Sequence, residues 1–477
     1  MISILIFYFL LLCFSVLIFR NAYKIYKQNK DYTLLISTLI IYYFTLCGAW
    51  IFPIDSFFGF SGDKIGLHYK PIFERLFAVN FDTDYYLACS YYCLFILIFQ
   101  YSYILFIKQF VKPNKIDINL SSKASLEVVI NPYLILIFSL VCVFISAYIM
   151  KDEIYYAIAQ EKSVYLITRA NANPLYTIHQ LANEFSVLIP IIAYSFSIFK
   201  MGEINIKIDN KKGAFQILLF SFLFASLYIS FLGNRREILS GIVIFSLMNL
   251  SQLKRFNYKG AAYIYVLVFL LFLGNNFFRS RVIPSKLNAI FKLEKSKDFK
   301  DNLYDTNGIA SSLLFSNELF YAHFSMYGVL HKDVPYTYGS SYKYLATSII
   351  PRALYPNRPM DIYKYYATAV NATPGQIYTI HHATACYLNF GLLGLIFGGI
   401  SLGAVFIFAF YINFYPFKNY NKFLILLKYL IPFLISAQLV TFITAGPEAY
   451  KSLILEGVVF PIFILCLCSK KNAVAID

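Results

Sequence analysis

About eleven long apolar segments, divided by gaps that alternate between rich and poor in Lys and Arg, constrain what this chain can fold into. They run over roughly 2–19, 33–54, 85–107, 129–150, 176–199, 214–232, 237–253, 261–278, 386–411, 423–443 and 452–468. Each is long enough to consider as a helix across a bilayer, where only helices or closed barrels satisfy every backbone group. The seventh is the weakest, because its apolar core Ile238–Leu250 is short, and it could pair with its neighbour as a dip that returns. Removing or adding two spans leaves the sidedness of everything downstream unchanged.

Sidedness follows from the gaps. With the N-terminus outside, the inner gaps hold twenty Lys and Arg, among them Arg20, Lys24, Lys108, Lys112, Lys207, Lys254, Lys422, Lys470 and Lys471, against nine in the short outer gaps. Basic residues collect on the cytoplasmic side of short loops, so the reading is N-terminus outside and C-terminus cytoplasmic. The apolar N-terminus lacks an early basic residue and a small-residue cleavage site, and is read as a retained span.

Composition agrees. The chain is 59% hydrophobic and 14% charged, where a soluble domain would carry about 25% charged residues. Its net charge of +16 sits at span ends, which favours an anionic lipid surface over nucleic acid. The eight Cys all lie in spans with no metal-ligand spacing and read as small apolar residues. No repeat or soluble domain boundary is apparent. The expectation is one membrane domain, 1–477, an all-α polytopic membrane protein with a single long outer (periplasmic) loop at 279–385.

Loops of that length usually have a function. Residues 279–302 are basic, with Arg279, Arg281, Lys286 and Lys292, and 303–385 are dense in Tyr. Ala310–Leu330 and Tyr342–Ile350 are expected as amphipathic helices at the bilayer surface. The tyrosines suit an interfacial aromatic belt or a sugar-binding surface. Within the loop sits Ile350-Pro351-Arg352-Ala353-Leu354-Tyr355-Pro356-Asn357-Arg358-Pro359. Its prolines stiffen the backbone, and its two guanidiniums suit a phosphate or diphosphate, which the planar fork can bond bidentately. Thr373-Pro374-Gly375, His381-His382 and Tyr387-Leu388-Asn389-Phe390-Gly391-Leu392-Leu393-Gly394 follow, the last expected as the start of the ninth span.

The "P-R-x-x-x-P-N-[KR]-P" segment, the "T-P-G" turn and the "Y-x-N-F-G-x-x-G" stretch resemble the Wzy-type oligosaccharide repeat unit polymerases of bacterial O-antigen and capsular polysaccharide. The Gly233-Asn234-Arg235-Arg236-Glu237 turn is similar to an Arg-bearing turn in that family. The resemblance implies a GT-C-like fold in the bacterial inner membrane and a substrate of undecaprenyl-diphosphate-linked oligosaccharide. A hydroxyl of one repeat unit would attack the anomeric carbon of the growing chain and release undecaprenyl diphosphate. A chain-length regulator is implied as a partner, and no cofactor. Charge develops on the departing diphosphate, for which arginines are natural donors: Arg352 and Arg358 first, then Arg235, Arg236, Arg279 and Arg281. The alternative for each is an interfacial arginine reaching lipid headgroups.

For the proton acceptor, His381 and His382 come first, since imidazole titrates in a suitable range; Glu318 and His323 come second. Glu184, inside the fifth span one turn beyond His179, is an ionisable group at depth and therefore also a catalytic candidate. Asp82-Thr83-Asp84 before the third span is a bare Asp-x-Asp, read as ordinary flanking charge with no metal expected. Were it a cation site, it would favour a polyprenyl-phosphate-sugar-dependent glycosyltransferase. An O-antigen ligase uses the same donor with a different acceptor. A lipid-linked oligosaccharide flippase ranks behind both, because the polar residues concentrate in one loop and no two-fold repeat is visible.

Overall fold

The computed structural model describes residues 2–29, 32–50, 82–110, 126–159, 175–198, 206–209, 213–234, 236–250, 266, 317–348, 355, 357–371, 379–414 and 421–473. In chain order the helices are α1 (Ile2–Asn29), α2 (Tyr32–Thr45), α3 (Thr83–Phe110), α4 (Pro132–Ile149), α5 (Lys151–Ala159), α6 (Tyr176–Ile198), α7 (Ala214–Phe231) and α8 (Arg236–Leu250). They continue with α9 (Asn317–His331), α10 (Ser340–Thr347), α11 (Ile362–Ala369), α12 (His382–Phe414), α13 (Lys422–Phe442) and α14 (Phe460–Leu467). A 3-10 turn, Pro447–Ala449, and a π-helical stretch, Ser452–Val459, precede α14. Three short strands, β1 (Leu126–Ile130), β2 (Ile206–Ile208) and β3 (Ser469–Ala473), complete the described elements.

The protein is mostly helical, and among the described residues seven helical stretches are long and apolar enough to cross a bilayer. Ten of the eleven expected spans coincide with helix; the eighth, 261–278, lies outside the described residues apart from Val266. The chain divides into two compact units. Unit 1 comprises Met1–Lys115, Asn302–Asn413 and Gln438–Ile454, and unit 2 comprises Ile116–Asp301, Phe414–Ala437 and Leu455–Asp477.

Unit 2 is built around α6, which packs against α4, α7 and α8. Val187 to Ala193 are buried through two turns, including Pro190. Gly241 of α8 lets the helices close up, since a Cβ there would lie 3.2 Å from Val187. β1 pairs in parallel with β2 and antiparallel with β3, giving a three-stranded sheet in the order β2-β1-β3. This sheet adds to the all-helical expectation, and its first strand takes residues that the sequence assigns to the fourth span. The break falls at Asn131, whose side chain caps α4 by accepting from the Tyr133 N–H at 3.0 Å, with Pro132 at the first helical position. Lys422 donates to the carbonyls of Cys466 and Ser469, at 3.0 and 2.8 Å, and so satisfies the end of α14.

Unit 1 gathers α1, α2 and α3 with the described part of the long loop and with α12. α12 is two helices, not one. Phe390 and Gly391 leave helical geometry, with Gly391 at φ +61° and ψ −140°, close to a region reserved for glycine. The chain reverses there: a Cβ on Gly394 would fall 2.1 Å from the Cys386 carbonyl, and one on Gly398 would fall 2.6 Å from its sulfur. In a straight helix Cys386 and Gly398 would stand about 18 Å apart. So 382–389 is a short limb folded back along the long limb that follows. The carbonyl of Leu388, orphaned by the reversal, accepts from the Thr337 N–H at 2.7 Å. The "Y-x-N-F-G-x-x-G" stretch therefore holds a reversal, from which the long limb starts.

Candidate functional site

The short limb enters the interior of unit 1. Residues 380–389 are all buried. The His382 N–H donates to the Ile443 carbonyl at 2.8 Å, and Tyr450 bonds Ser401, ten residues along from Gly391, at 2.6 Å. With Tyr450 also against the His382 ring (5.7 Å), the limb's start sits about 15 Å along the helix from the reversal.

α9 is buried too. The sequence predicts a surface-lying amphipathic helix, yet Ala322 to Val329 are buried on every side. Its polar groups find partners inside: the Tyr92 hydroxyl of α3 reaches the carbonyls of Ala322 and His323, each at 2.9 Å, and accepts from the Met326 N–H at 3.2 Å. Ser325 bonds Thr384 at 2.9 Å and accepts from the His381 N–H at 3.1 Å. That satisfaction allows polar sequence to be enclosed. α3 and the long limb of α12 close up through Gly399 and Gly403, whose Cβ positions would lie 3.3 Å from the Phe95 carbonyl and 3.2 Å from the Phe99 carbonyl.

Three histidines occupy this interior, and the hydrogen bonds assign their tautomers. His323 Nδ1–H donates to the Thr45 carbonyl, and its Nε2 accepts from the Tyr85 hydroxyl at 3.0 Å. Burial lowers the pKa of His323 to about 4, the Thr45 bond only partly opposing it. His381 Nδ1 accepts from the Ala383 N–H at 3.0 Å, so the proton sits on Nε2, which is buried with no hydrogen-bond partner among the described residues. His382 Nδ1–H donates to the Ala445 carbonyl at 3.0 Å, and its Nε2 faces the Cys386 sulfur at 3.5 Å. In this arrangement each imidazole spends its lone pair on the protein.

Above the interior lies a polar strap. Gly339, at φ +84°, would set a Cβ 2.8 Å from the Phe390 ring, so the turn before α10 sits directly on the reversal. Ser341 N–H donates to Asn389 Oδ1 at 3.3 Å. α11 buries Ile362, Tyr366 and Val370, one stripe at helical spacing, and carries Asp361 as N-cap to Lys364 N at 2.8 Å. Glu448 accepts from the Ile362 N–H at 3.2 Å, and Tyr363 donates to the Thr444 carbonyl at 3.2 Å. Arg358 stands between α10 and α11 with its guanidinium 5.5 Å from the centre of the Tyr344 ring.

A second constellation lies at the start of α3. Asp82 caps the helix, its Oδ1 accepting from the Tyr85 N–H at 2.9 Å, while its Oδ2 accepts from the Tyr327 hydroxyl at 2.9 Å. His331, the last residue of α9, places Nδ1 3.2 Å from Asp84 Oδ2 and 4.0 Å from Asp82 Oδ2. One ligand atom from each of the three lies within 4.8 Å of the others. Sequence reasoning noticed both carboxylates and missed His331, which stands 247 residues from Asp84 and carries no local signal.

Of the other anticipated residues, Arg236 is exposed on the first turn of α8, and Glu184 is half-buried on α6. Glu318 lies on the first turn of α9. Arg235, Arg279, Arg281, Arg352 and the Thr373-Pro374-Gly375 turn lie outside the described residues. No family model, curated protein or solved structure matches the chain.

Proposed function

We propose that this protein is a membrane glycosyltransferase that polymerises undecaprenyl-diphosphate-linked oligosaccharide repeat units, of O-antigen or capsule, at the outer face of the bacterial inner membrane. The observation that carries the reading is the layering of unit 1. Apolar helices enclose a polar interior made from loop sequence, and a strap holding Arg358 against Tyr344 closes over it. Such a unit suits a substrate with a polyprenyl tail and a charged, sugar-bearing head. Irregular or polar backbone at membrane depth is tolerated where it is enclosed by protein or lines a cavity.

The topology behind the reading is supported by the sheet of unit 2. β1, β2 and β3 come from three gaps that the charge count assigns to the cytoplasmic face, and hydrogen bonding to one another requires a common face. Lys207, Lys470 and Lys471 lie on those strands. The charge count puts the loop 279–385 on the opposite side of the membrane.

In this reading Arg358, with Arg352, bonds the diphosphate as its bond to the anomeric carbon breaks. Tyr344 fixes the guanidinium so that little side-chain entropy is lost on engagement. His381, with a buried N–H donor, and His382 set the shape of the limb beneath. The test is glycan profiling of a deletion strain complemented with wild type or Arg358→Ala. Accumulation of a single lipid-linked unit, restored to long chains by the wild type alone, supports polymerisation. Unaltered chain lengths overturn it, and long chains left on lipid carrier without transfer to their final acceptor would show a ligase.

A further inference from the structure

The cluster at the start of α3 does not enter that mechanism, and its geometry has its own consequence. We propose that Asp82 Oδ2, Asp84 Oδ2 and His331 Nδ1 form a binding site for one divalent transition cation of the Mn²⁺ or Zn²⁺ kind. The three groups come from two elements far apart in sequence and converge within 4.8 Å. Two carboxylate oxygens and one imidazole nitrogen are a donor set that such cations take up with positions to spare for water or a phosphate oxygen.

The site is built. Tyr327, 1% exposed, locks two ligands at once: its hydroxyl donates to Asp82 Oδ2, and its ring stacks on His331 at 5.0 Å and 15°. Orientation of ligands by such outer partners is a regular feature of metal sites. The Tyr85 N–H engages the other oxygen of Asp82, which leaves Oδ2 as the atom turned to the cluster. Asp333, two residues after His331, takes φ +46° where the chain leaves α9. Asp82 and Asp84 carry no Lys or Arg within ion-pair distance among the described residues, and His331 is the basic group they meet. The proposal does not rest on the polymerase reading.

The experiment is titration of the full-length protein, in a zwitterionic detergent free of anionic lipid, with MnCl₂ alone, following free Mn²⁺ by electron paramagnetic resonance. The expected result is one site per chain, weakened at least tenfold by Asp84→Asn and by His331→Gln and about tenfold by Tyr327→Phe. Zn²⁺ should compete for it. Asp82→Asn keeps the oxygen that caps α3, so it provides a folded variant should another fail to fold. Absence of binding, or binding that survives all these substitutions, overturns the proposal. Binding by a chain that makes no polymer would leave the site standing and remove the polymerase reading instead.

Discussion

In unit 2, Ser146 of α4 donates to Asn183 Oδ1 at 2.7 Å and accepts from His179 Nδ1 and the Tyr228 hydroxyl, each at 2.9 Å, while Asn183 Nδ2 donates back to His179 Nε2 at 3.1 Å. Both ring nitrogens are used, and every partner belongs to α4, α6 or α7. In unit 1 the partners come from five distant stretches: α2, α3, α9, the short limb of α12 and the turn after Phe442. There His381 Nε2 and Glu448 Oε2 have no hydrogen-bond partner among the described residues, and two carboxylates stand at the rim with His331 as the basic group among the described residues within ion-pair distance. The contrast is between these two networks and not between whole units, since Ser226, Tyr194 and Asn249 of unit 2 also bury polar atoms without a partner among the described residues. A closed network among neighbouring helices adds packing specificity and holds nothing in reserve. A network with spare donors and charges keeps interaction capacity that a ligand can use, and it draws loop sequence into the fold.

The largest effect that tests this division is on activity. Arg358→Ala should cut chain elongation about a hundredfold, the scale on which one donor to a developing oxyanion is felt. Ser146→Ala should leave the elongation rate of folded protein unchanged. Equal loss in both would break the division. Arg358→Lys should fall between the two, because an ammonium keeps the charge and loses the fork. The measure is polymer length per unit time in membranes reconstituted with lipid-linked repeat units.

Next comes the reversal on which unit 1 depends. Gly391→Val forces a branched side chain into a backbone conformation reserved for glycine and sets its Cβ 3.1 Å from the Tyr336 hydroxyl. A cost of about 2–3 kcal/mol is expected. It should show as a lower melting midpoint in detergent, with protease sensitivity confined to unit 1. Uniform sensitivity along both units would show that the reversal is not the local hinge-point of that packing.

How far the sequence disclosed this depends on the kind of interaction. The apolar spans were readable because hydrocarbon burial is a property of composition over twenty residues. The reversal was half readable: Gly391 and Gly394 stood out as a motif, but a continuous apolar run hid the change of direction, which shows only in where Cys386 and Gly398 meet. α9 was misplaced because His323 and Ser325 imply a wet face unless Tyr92, Thr45 and Thr384 are known to serve them. The last two residues of β1, Val129 and Ile130, were absorbed into a span, since they are apolar enough to extend a helix until Asn131-Pro132 resets it. Arg358 was found from its prolines, whereas its partner Tyr344 was one tyrosine among many. His331 completes a constellation only in three dimensions.

The interior of unit 1 should also respond to acid. His323 has a folded pKa of about 4 against about 6.5 when unfolded, so between those values the unfolded chain binds more protons. The stability it contributes is therefore complete above about pH 6.5 and is lost as pH falls toward 4. At pH 5 the loss should be about 2 kcal/mol, read as a drop in the melting midpoint between pH 7 and 5. His323→Asn, with the Tyr85 hydroxyl and the Thr45 carbonyl still beside it, should flatten that slope by a similar amount. A slope unchanged in the variant would assign the acid response to other groups.

The smallest effect belongs to the closed network. Ser146→Ala removes a hydroxyl that joins three side chains, and a simple count of bonds predicts a large penalty. The expected value is nearer 1 kcal/mol, for two reasons. Hydrogen bonds between helices in bilayers average about 0.6 kcal/mol, since the separated helices also find partners. The orphaned groups can regroup as well: Tyr228 and His179 both bond the Ser146 hydroxyl, so its removal leaves a hydroxyl and an Nδ1–H that a small shift can bring together. If instead the loss reached the 2–3 kcal/mol of a buried donor left alone, the network would be rigid and its members unable to compensate. Pairing the substitution with Tyr228→Phe decides the matter: regrouping through Tyr228 predicts that the double variant loses more than the two singles together, and rigidity predicts that it loses less.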